Sequence, residues 1–558
     1  MKSAARLKID NPTRTQITVT SILLICLSLL IAPISLSITA IALLCSRLDG
    51  AALHLRDSRA DRKTVLITGG RTNKGLVLLR AFKRQGYRVL IAEEACWGHV
   101  SLTRFSRAAD GYYSLPEPSD EKKGGKEAYK KAIVDIVGRE GVDIWVPCSS
   151  IFATVEDAET ALEISNAGYN CDTFIQHPDL IDSLHWKDRF MPLCTELGFQ
   201  VPQSQLVTSC GEAIDFLFSP DTRKKGYSYI LKCVGLDDAG RSDLTLLPLK
   251  TMEATIAHFA KIPVQPSRKI PFVLQRYIGG PEYCTHGVVR DGRLLAFVAS
   301  RSSDMVLRYL DLESYAKSAT VLPTRHKMDG PQETSDCITE AMRNERDIGR
   351  QAEEWTVQFL QRWAKLLREQ GKTGKRAEMT GHFSFDFLLE ESEGRLYPIE
   401  CNPRAHTAVA LLSENPLLAS AYTGDLSLNS GPTRPTDAAP RSWLSHELPL
   451  SFMNLIPDSI ASKLFPILHP RLRRSPPASQ DRAHPANATL SPFHGDGPLT
   501  VVLRHLCGVE KDVSFDYSDP LPFFILAHVQ IPWILATLLW QRKGWSRINT
   551  STARVYAC

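Results

Sequence analysis

The 558-residue chain is too long for a single core, and a net charge of +5 spread along it, with no basic stripe interleaved with aromatics, argues against nucleic acid as a partner. Its 13 cysteines fall singly, without CxxC or His/Cys clusters, which excludes a zinc framework and a disulfide scaffold and fits a reducing compartment. Hydrophobic residues at 43% and charged residues at 23% are those of an ordinary globular protein, so function has to be sought in local patterns.

Residues 1–16 form a basic tail. Residues 17–46 carry no charged side chain, which is enough to cross a bilayer and too long for the core of a signal peptide. This predicts a membrane anchor, with the lipid bilayer as a partner. As one helix the stretch would run roughly 45 Å at 1.5 Å per residue, against a hydrocarbon core of about 30 Å. Pro33 near its middle and basic residues on both flanks leave a tilted single span and a re-entrant hairpin both open.

After a linker over residues 47–63, residues 64–178 read as an α/β domain. TVLIT is a buried-strand run, GGRTNKG a turn, Leu76–Gln85 an amphipathic helix and YRVLIAE a second strand. Further strands are predicted at Gly111–Leu115, Asp143–Pro147 and Thr173–Gln176, spaced by helical stretches, which implies a parallel sheet with helices on its faces. The glycine turn Gly69–Gly75 lacks GxGxxG spacing, and Leu76 stands where a P-loop continues with Lys and Ser or Thr; it reads as a tight turn that lets the helix pack close to the sheet.

Residues 179–425 hold a second domain. Lys187 lies early in a helix ending near Gly198, and Lys232 follows the strand YSYILK and precedes the polar loop GLDDAGRSD, a cover of the kind that closes over phosphates. The strand FVLQRYI is broken at Gly279-Gly280-Pro281 and followed by Glu282, exposing backbone groups suited to an adenine edge with a carboxylate for ribose hydroxyls. A hairpin turning at Asp291-Gly292 ends at Arg301, a candidate to face the same site, and a helix near Glu340–Gln370 carries its core positions Ile348, Trp355, Phe359, Leu360, Trp363, Leu366 and Leu367 at helical spacing.

The next hairpin, HFSFDFLLEESEGRLYPIECNPR, carries acids. Alternation places Leu396, Pro398, Glu400 and Asn402 on one face of its second strand, and if Glu390 pairs with Leu396, Asp386 falls opposite Glu400. Paired carboxylates call for a cation, and Asp386, Glu400 and Asn402 together suit Mg²⁺; a surface hairpin of solvated acids is the alternative. Residues 426–558 form a C-terminal extension. It has a mobile Pro-rich stretch near 471–498, an ordered segment at Leu499–Leu506 and an apolar helix near 521–540, whose Pro522, His528, Gln530 and Pro532 favour a buried or membrane-surface position over a span.

Taken in this order, the residues of 64–424 resemble the ATP-grasp superfamily. The resemblance rests on the lysine pair, the hinge, and an Asp-bearing strand followed by Glu400-Cys401-Asn402-Pro403-Arg404. It implies a Rossmann-like pre-ATP-grasp domain before a two-lobed ATP-grasp domain. Lys187, Lys232, Gln275, Arg276, Tyr277, Ile278 and Glu282 would then bind ATP, and Asp386, Glu400 and Asn402 one or two Mg²⁺ ions, with Mn²⁺ an acceptable substitute. Arg404, Lys232 and Arg301 would act on the transferring phosphate. Cys401 is expected to point away from the metal face; His406 and Thr407 are expected either to line the acceptor pocket or to start a helix. The implied reaction joins an amino acid or other amine to a small-molecule acceptor, a carboxylate activated as acyl phosphate or a cyclohexenone activated as enol phosphate, with release of ADP and phosphate. ECNPRAHTAV and the tail from Asp519 further resemble the ligases that join glycine to deoxygadusol in mycosporine synthesis and related fungal secondary-metabolism enzymes. The need for ATP implies a membrane-anchored protein whose catalytic domain faces the cytosol. A membrane-tethered ATP-binding protein without ligase activity is the alternative.

Overall fold

The computed structural model describes residues 12–49, 62–148, 153–234, 245–302, 307–314, 333–426, 431–457, 468 and 497–556. The loop expected over Gly235–Asp243 and nearly all of the Pro-rich stretch lie outside them.

Helix α1 (Arg14–Leu48) opens with a capping box, Thr13 accepting from the Gln16 backbone and Gln16 reaching back, and runs unbroken through Pro33. No fold-back occurs at Pro33, the position where the hairpin alternative would have turned. Arg14–Leu48 and Leu521–Trp540 are both long and apolar enough to cross a membrane by length and composition. The two pack on each other. Ser28 Oγ meets Ala527 O and His528 Nδ1 at 3.0 Å each, and Trp545 Nε1 donates to Ser21 Oγ at 3.0 Å. The C-terminal helix is interrupted by a π turn at Leu526–Gln530, just before Pro532. Gln530 there accepts from Leu102 N and donates to Arg71 O, both at 3.0 Å. Its polar residues, read as arguments against a span, are thus used inward.

The α/β domain is a five-stranded parallel sheet, ordered β3 (Gly111–Leu115), β2 (Arg88–Glu94), β1 (Thr64–Thr68), β4 (Ile144–Pro147) and β5 (Asp172–Thr173). The last strand is shorter than the Thr173–Gln176 run had suggested. Helix α2 (Asn73–Arg84) starts at Thr72, whose hydroxyl accepts from Gly75 N at 3.2 Å. A Cβ on Gly75 would lie 2.9 Å from Gly69 O, so the turn needs glycine for close approach, as the tight-turn reading expects.

Two further sheets follow. One is antiparallel, ordered β6 (Ser204–Val207), β8 (Phe272–Arg276), β7 (Tyr229–Cys233); the other is ordered β10 (Arg293–Arg301), β9 (Glu282–Arg290), β11 (Gly381–Glu390), β12 (Arg395–Asn402). One face of the four-stranded sheet carries Phe383, Phe385 and Phe387, which pack on Trp355, Phe359 and Trp363 of the long helix Glu333–Glu369. This is the expected core set, with Trp355 and Leu366 at its partly buried margin. The other face meets a core shared by α2, the Ala408–Leu412 turn and the C-terminal residues Trp443, Val513, Ile525 and Leu526. Side chains far apart in sequence therefore fill one interior.

A buried ion pair fastens the C-terminal extension. Asp519, fully buried, accepts from Arg80 Nε at 3.0 Å, Ser106 Oγ at 2.6 Å and Arg107 N at 2.8 Å. Asp519→Ala leaves the Arg80 charge without its carboxylate, and urea unfolding is expected to show a loss of about 3–5 kcal/mol. Elsewhere in the extension burial and the nearby Glu510 push the Glu447 carboxyl up from about 4.5 to about 8, against Arg308 and Arg504. Between those values the folded chain holds a proton that the unfolded chain has released, so stability falls as pH rises from about 5 to 8 and levels off above. Glu447→Gln is expected to flatten that slope and raise the melting temperature at pH 8 by a few degrees, measured by thermal scans at pH 6 and 8.

Candidate functional site

The β11–β12 hairpin delivers the acids by a route different from the one alternation suggests. Glu390 pairs with Arg395, not Leu396, and Leu389 with Leu396 through to Phe387 with Pro398; the register then shifts so that Asp386 pairs with Glu400 and Ser384 with Asn402. The residue inserted by this bulge is Ile399, and an extra residue reverses which face each later side chain takes. Leu396 therefore faces the aromatic core together with Cys401, and only Glu400 and Asn402 of the expected face remain beside Asp386. Cys401 is turned away from the acids, as expected.

Across the cleft stand the lysines. Lys187, the first residue of the helix Lys187–Glu196, forms an ion pair with Glu400. Lys232 of β7 donates to Gln275 Oε1 of β8 at 2.6 Å. Burial pulls Lys232 down to about 8, with the neighbouring Lys187 adding to the effect and Glu400 and Glu282 opposing it. Burial would raise Glu400, yet Lys187 and Arg404 hold it below the usual carboxylate range. Asp386 goes the other way, pushed well up by burial and by the charges of Glu400 and Glu282. Its Oδ2 accepts from Asn402 Nδ2 at 2.9 Å, while its Oδ1 is buried without a hydrogen-bond donor among the described residues. Glu282, at the mouth of the cleft, is raised by burial and by Glu400.

Lys187, Lys232, Gln275, Glu282, Asp386, Glu400, Asn402 and Arg404 thus come together. Asn402 is turned: its Oδ1 accepts from Arg404 Nη2 at 2.5 Å, so its oxygen is committed to the arginine. Arg276 is spoken for by Glu390 at 2.5 Å and lies 4.0 Å over the Tyr227 ring, which makes it part of the hinge's framework. The backbone N–H groups of Arg276 and Tyr277 donate to Gln203 O and Ser228 O, and Ile278 is buried. Among the described residues Arg301 is placed against the long helix, not against the acid pair. It pairs with Glu345 of the long helix at 3.2 Å, where Tyr283 OH also donates to Glu345 at 3.0 Å.

Beyond Arg404 the chain makes a short turn. His406 caps it, Nδ1 accepting from Ala408 N at 3.1 Å, and Thr407 Oγ1 meets Ser551 Oγ at 3.1 Å; of the two expectations for this pair, the structure shows the turn start for His406. Sequence patterns did not nominate Lys74, whose Nζ donates to Ala405 O at 2.9 Å and which burial pulls down to about 8. His286 and His382 line the same face of the sheet, and burial keeps both neutral. The signal for Lys74 was the lysine in GGRTNKG, set aside for want of a P-loop spacing.

No protein-family model matches the chain, and no curated protein is significantly similar to it. Among solved structures it is similar to a biotin carboxylase in complex with β-γ-ATP from Campylobacter jejuni, with 14% identity over 66% of this chain and 72% of that one and a TM-score of 0.42. It is also similar to L-amino acid ligase from Bacillus licheniformis (15% identity, 62% and 67% covered, TM-score 0.36). A third is N5-carboxyaminoimidazole ribonucleotide synthetase from Thermotoga maritima (15% identity, 62% and 70% covered, TM-score 0.36). Likenesses this distant carry no assignment, and the functional reading rests on the cleft.

Proposed function

We propose that the protein is an ATP-grasp ligase that forms a C–N bond between an amine and a phosphate-activated acceptor. The observation that carries this reading is the pairing of Asp386 with Glu400 on adjacent strands, faced by Lys187 and Lys232. Like charges placed side by side are costly unless a cation or a shared proton sits between them. The buried, donorless Asp386 Oδ1 fits a hard divalent ion: Asp386 and Glu400 would hold Mg²⁺, joined by Asn402 once its oxygen leaves Arg404, and the ion would supply neutralising charge to the phosphates.

Lys187 and Lys232 bind phosphate oxygens, Gln275 aims Lys232, and Glu282 accepts from ribose hydroxyls. Arg404 neutralises charge on the group in transit. The acceptor oxygen takes the γ-phosphoryl group with loss of ADP; the amine nitrogen then bonds to the activated carbon as the carbon–oxygen bond to phosphate breaks. The acceptor is a carboxylate or, following the likeness of the tail to mycosporine-type ligases, a cyclohexenone enol, which would place the enzyme in secondary metabolism. Anchored by α1, the catalytic body faces the cytosol, where ATP is found. Full-length protein supplied with Mg-ATP and panels of amino acids and acceptors is expected to release ADP in step with product. ATP binding with no turnover under any combination would favour the tethered, non-catalytic reading.

A further inference from the structure

Between α1, the helix Leu444–Met453, the C-terminal helix and the terminal hairpin (Arg547–Asn549 and Arg554–Tyr556) the chain leaves a cavity of about 120 Å³. Its walls are largely aliphatic and aromatic, from Leu24, Leu27, Ile31, Phe523, Ile531 and Leu535. Two polar atoms on those walls, Ser445 Oγ and His528 Nε2, are buried without a hydrogen-bond partner among the described residues, a cost that native interiors avoid unless something else supplies the bond. Arg547 adds a positive charge to the same walls, its guanidinium held 4.2 Å over the Tyr556 ring. An apolar chamber with a few polar atoms and one cation suits an amphiphile with an anionic head.

Position tells which amphiphile. The opposite side of α1 exposes Leu29, Leu30, Ile34 and Ile41, with Leu30 76% exposed, so the chamber lies behind a helix whose outer surface is itself suited to lipid. An apolar chain arriving from a bilayer need not cross water. At the other end, Thr550 of the chamber wall accepts from Asn73 Nδ2 at 3.3 Å, Ser551 O accepts from Asn73 N at 2.8 Å, and Ser551 Oγ meets Thr407 three residues past Arg404. Thr550 and Ser551 thus connect the chamber wall to the segment just past Arg404.

We infer that this chamber binds the aliphatic chain of a long-chain carboxylate, head toward Thr550, and that this amphiphile is the acceptor. The second half of that statement rests on the ligase reading; the first does not. Full-length protein titrated with cis-parinarate, an 18-carbon polyene carboxylate that fluoresces when buried, is expected to show saturable binding displaced by oleate. In a series of saturated carboxylates used as competitors, each added methylene is expected to tighten displacement about threefold to fourfold until the chamber is full. Leu535→Trp and Ile31→Trp, which fill it, should each weaken binding at least tenfold, whereas Leu30→Trp on the outer face should leave it unchanged; thermal unfolding of both filling variants checks that they fold. Non-saturable uptake, equal affinity in folded filling variants, or displacement by phosphatidate vesicles but not by oleate would each overturn the inference. Glu400→Gln separates the two readings, since it should keep parinarate binding and lose ADP release. A wild-type protein that binds parinarate yet releases no ADP with any long-chain carboxylate and amine would leave the chamber standing and remove the acceptor role.

Discussion

Glu400→Gln is expected to lower magnesium-dependent ADP release by on the order of 10²–10³-fold, with the loss in kcat. The substitution keeps the shape of the side chain and removes its charge. Two features of the cleft depend on that charge. One is the ion pair with Lys187, which fixes a cation at the start of its helix; the other is the repulsion that, after burial, pushes the Asp386 carboxyl up. Without Glu400 the pair of acids becomes a single acid, and the charge that would hold a divalent ion between β11 and β12 is halved. Thermal stability is expected to change little, because Glu400 sits at the cleft wall with its side chain 29% exposed rather than in either core. A steady-state assay of ADP release, with Mg²⁺ titrated for both proteins, measures the effect. Retention of turnover within a few-fold at saturating Mg²⁺ would sink the assignment of this acid pair as the metal end of the site.

Gly280→Ala is expected to cost about 3 kcal/mol or more in stability and to raise the KM for ATP at least tenfold. A Cβ at Gly280 would lie 1.8 Å from Leu389 O, a backbone atom of β11 in a residue whose own N–H donates to Pro281 O at 3.0 Å. Nothing there is the flexible end of a side chain, so relief requires the hinge to move off the sheet. That movement pulls on Arg276, paired with Glu390 on the same strand, and on Glu282, which begins β9 two residues later. Gly279→Ala is the matched control. Its Cβ would meet only Tyr277 Cε1 at 3.4 Å, an ordinary contact, and it should be close to neutral in both readouts. Equal effects of the two substitutions on urea unfolding and on KM would show that the close approach at Gly280 is not what holds the hinge.

Much of the site was legible before any fold was known, and particular residues show why. Asp386 and Glu400 lie in a hairpin whose alternation is local, and Lys232 and Gln275 end apolar strand runs that read as strands by composition alone. The order of the acids behind the lysines is likewise a property of the chain. The route from alternation to pairing was not legible, because it depends on the bulge at Ile399, and a bulge is settled by how Leu396 and Cys401 fit the aromatic core against the long helix. Arg276 and Arg301 looked alike as candidates. Each was decided by a partner more than 40 residues away, Glu390 and Glu345, that a linear pattern does not bring near. His406 was ambiguous for the opposite reason, since a cap and a ligand contact both follow from a polar residue ahead of a turn; the 3.1 Å bond from Ala408 N shows the cap.

The sequence by itself determined the strands, the long helix with its aromatic stripe, the apolar stretch of α1 and the kinds of charge available to the cleft, because each is encoded within a dozen or so residues by periodicity and side-chain chemistry. Tertiary structure alone decided which charges meet, which amides and arginines are already committed, that Lys74 is buried against Ala405, and that α1 and the last helix close on a common chamber. Those outcomes turn on desolvation and on hydrogen bonds between segments some 500 residues apart or more, as where Ser28 meets His528 and Ser21 meets Trp545. Only packing brings such groups within reach of one another.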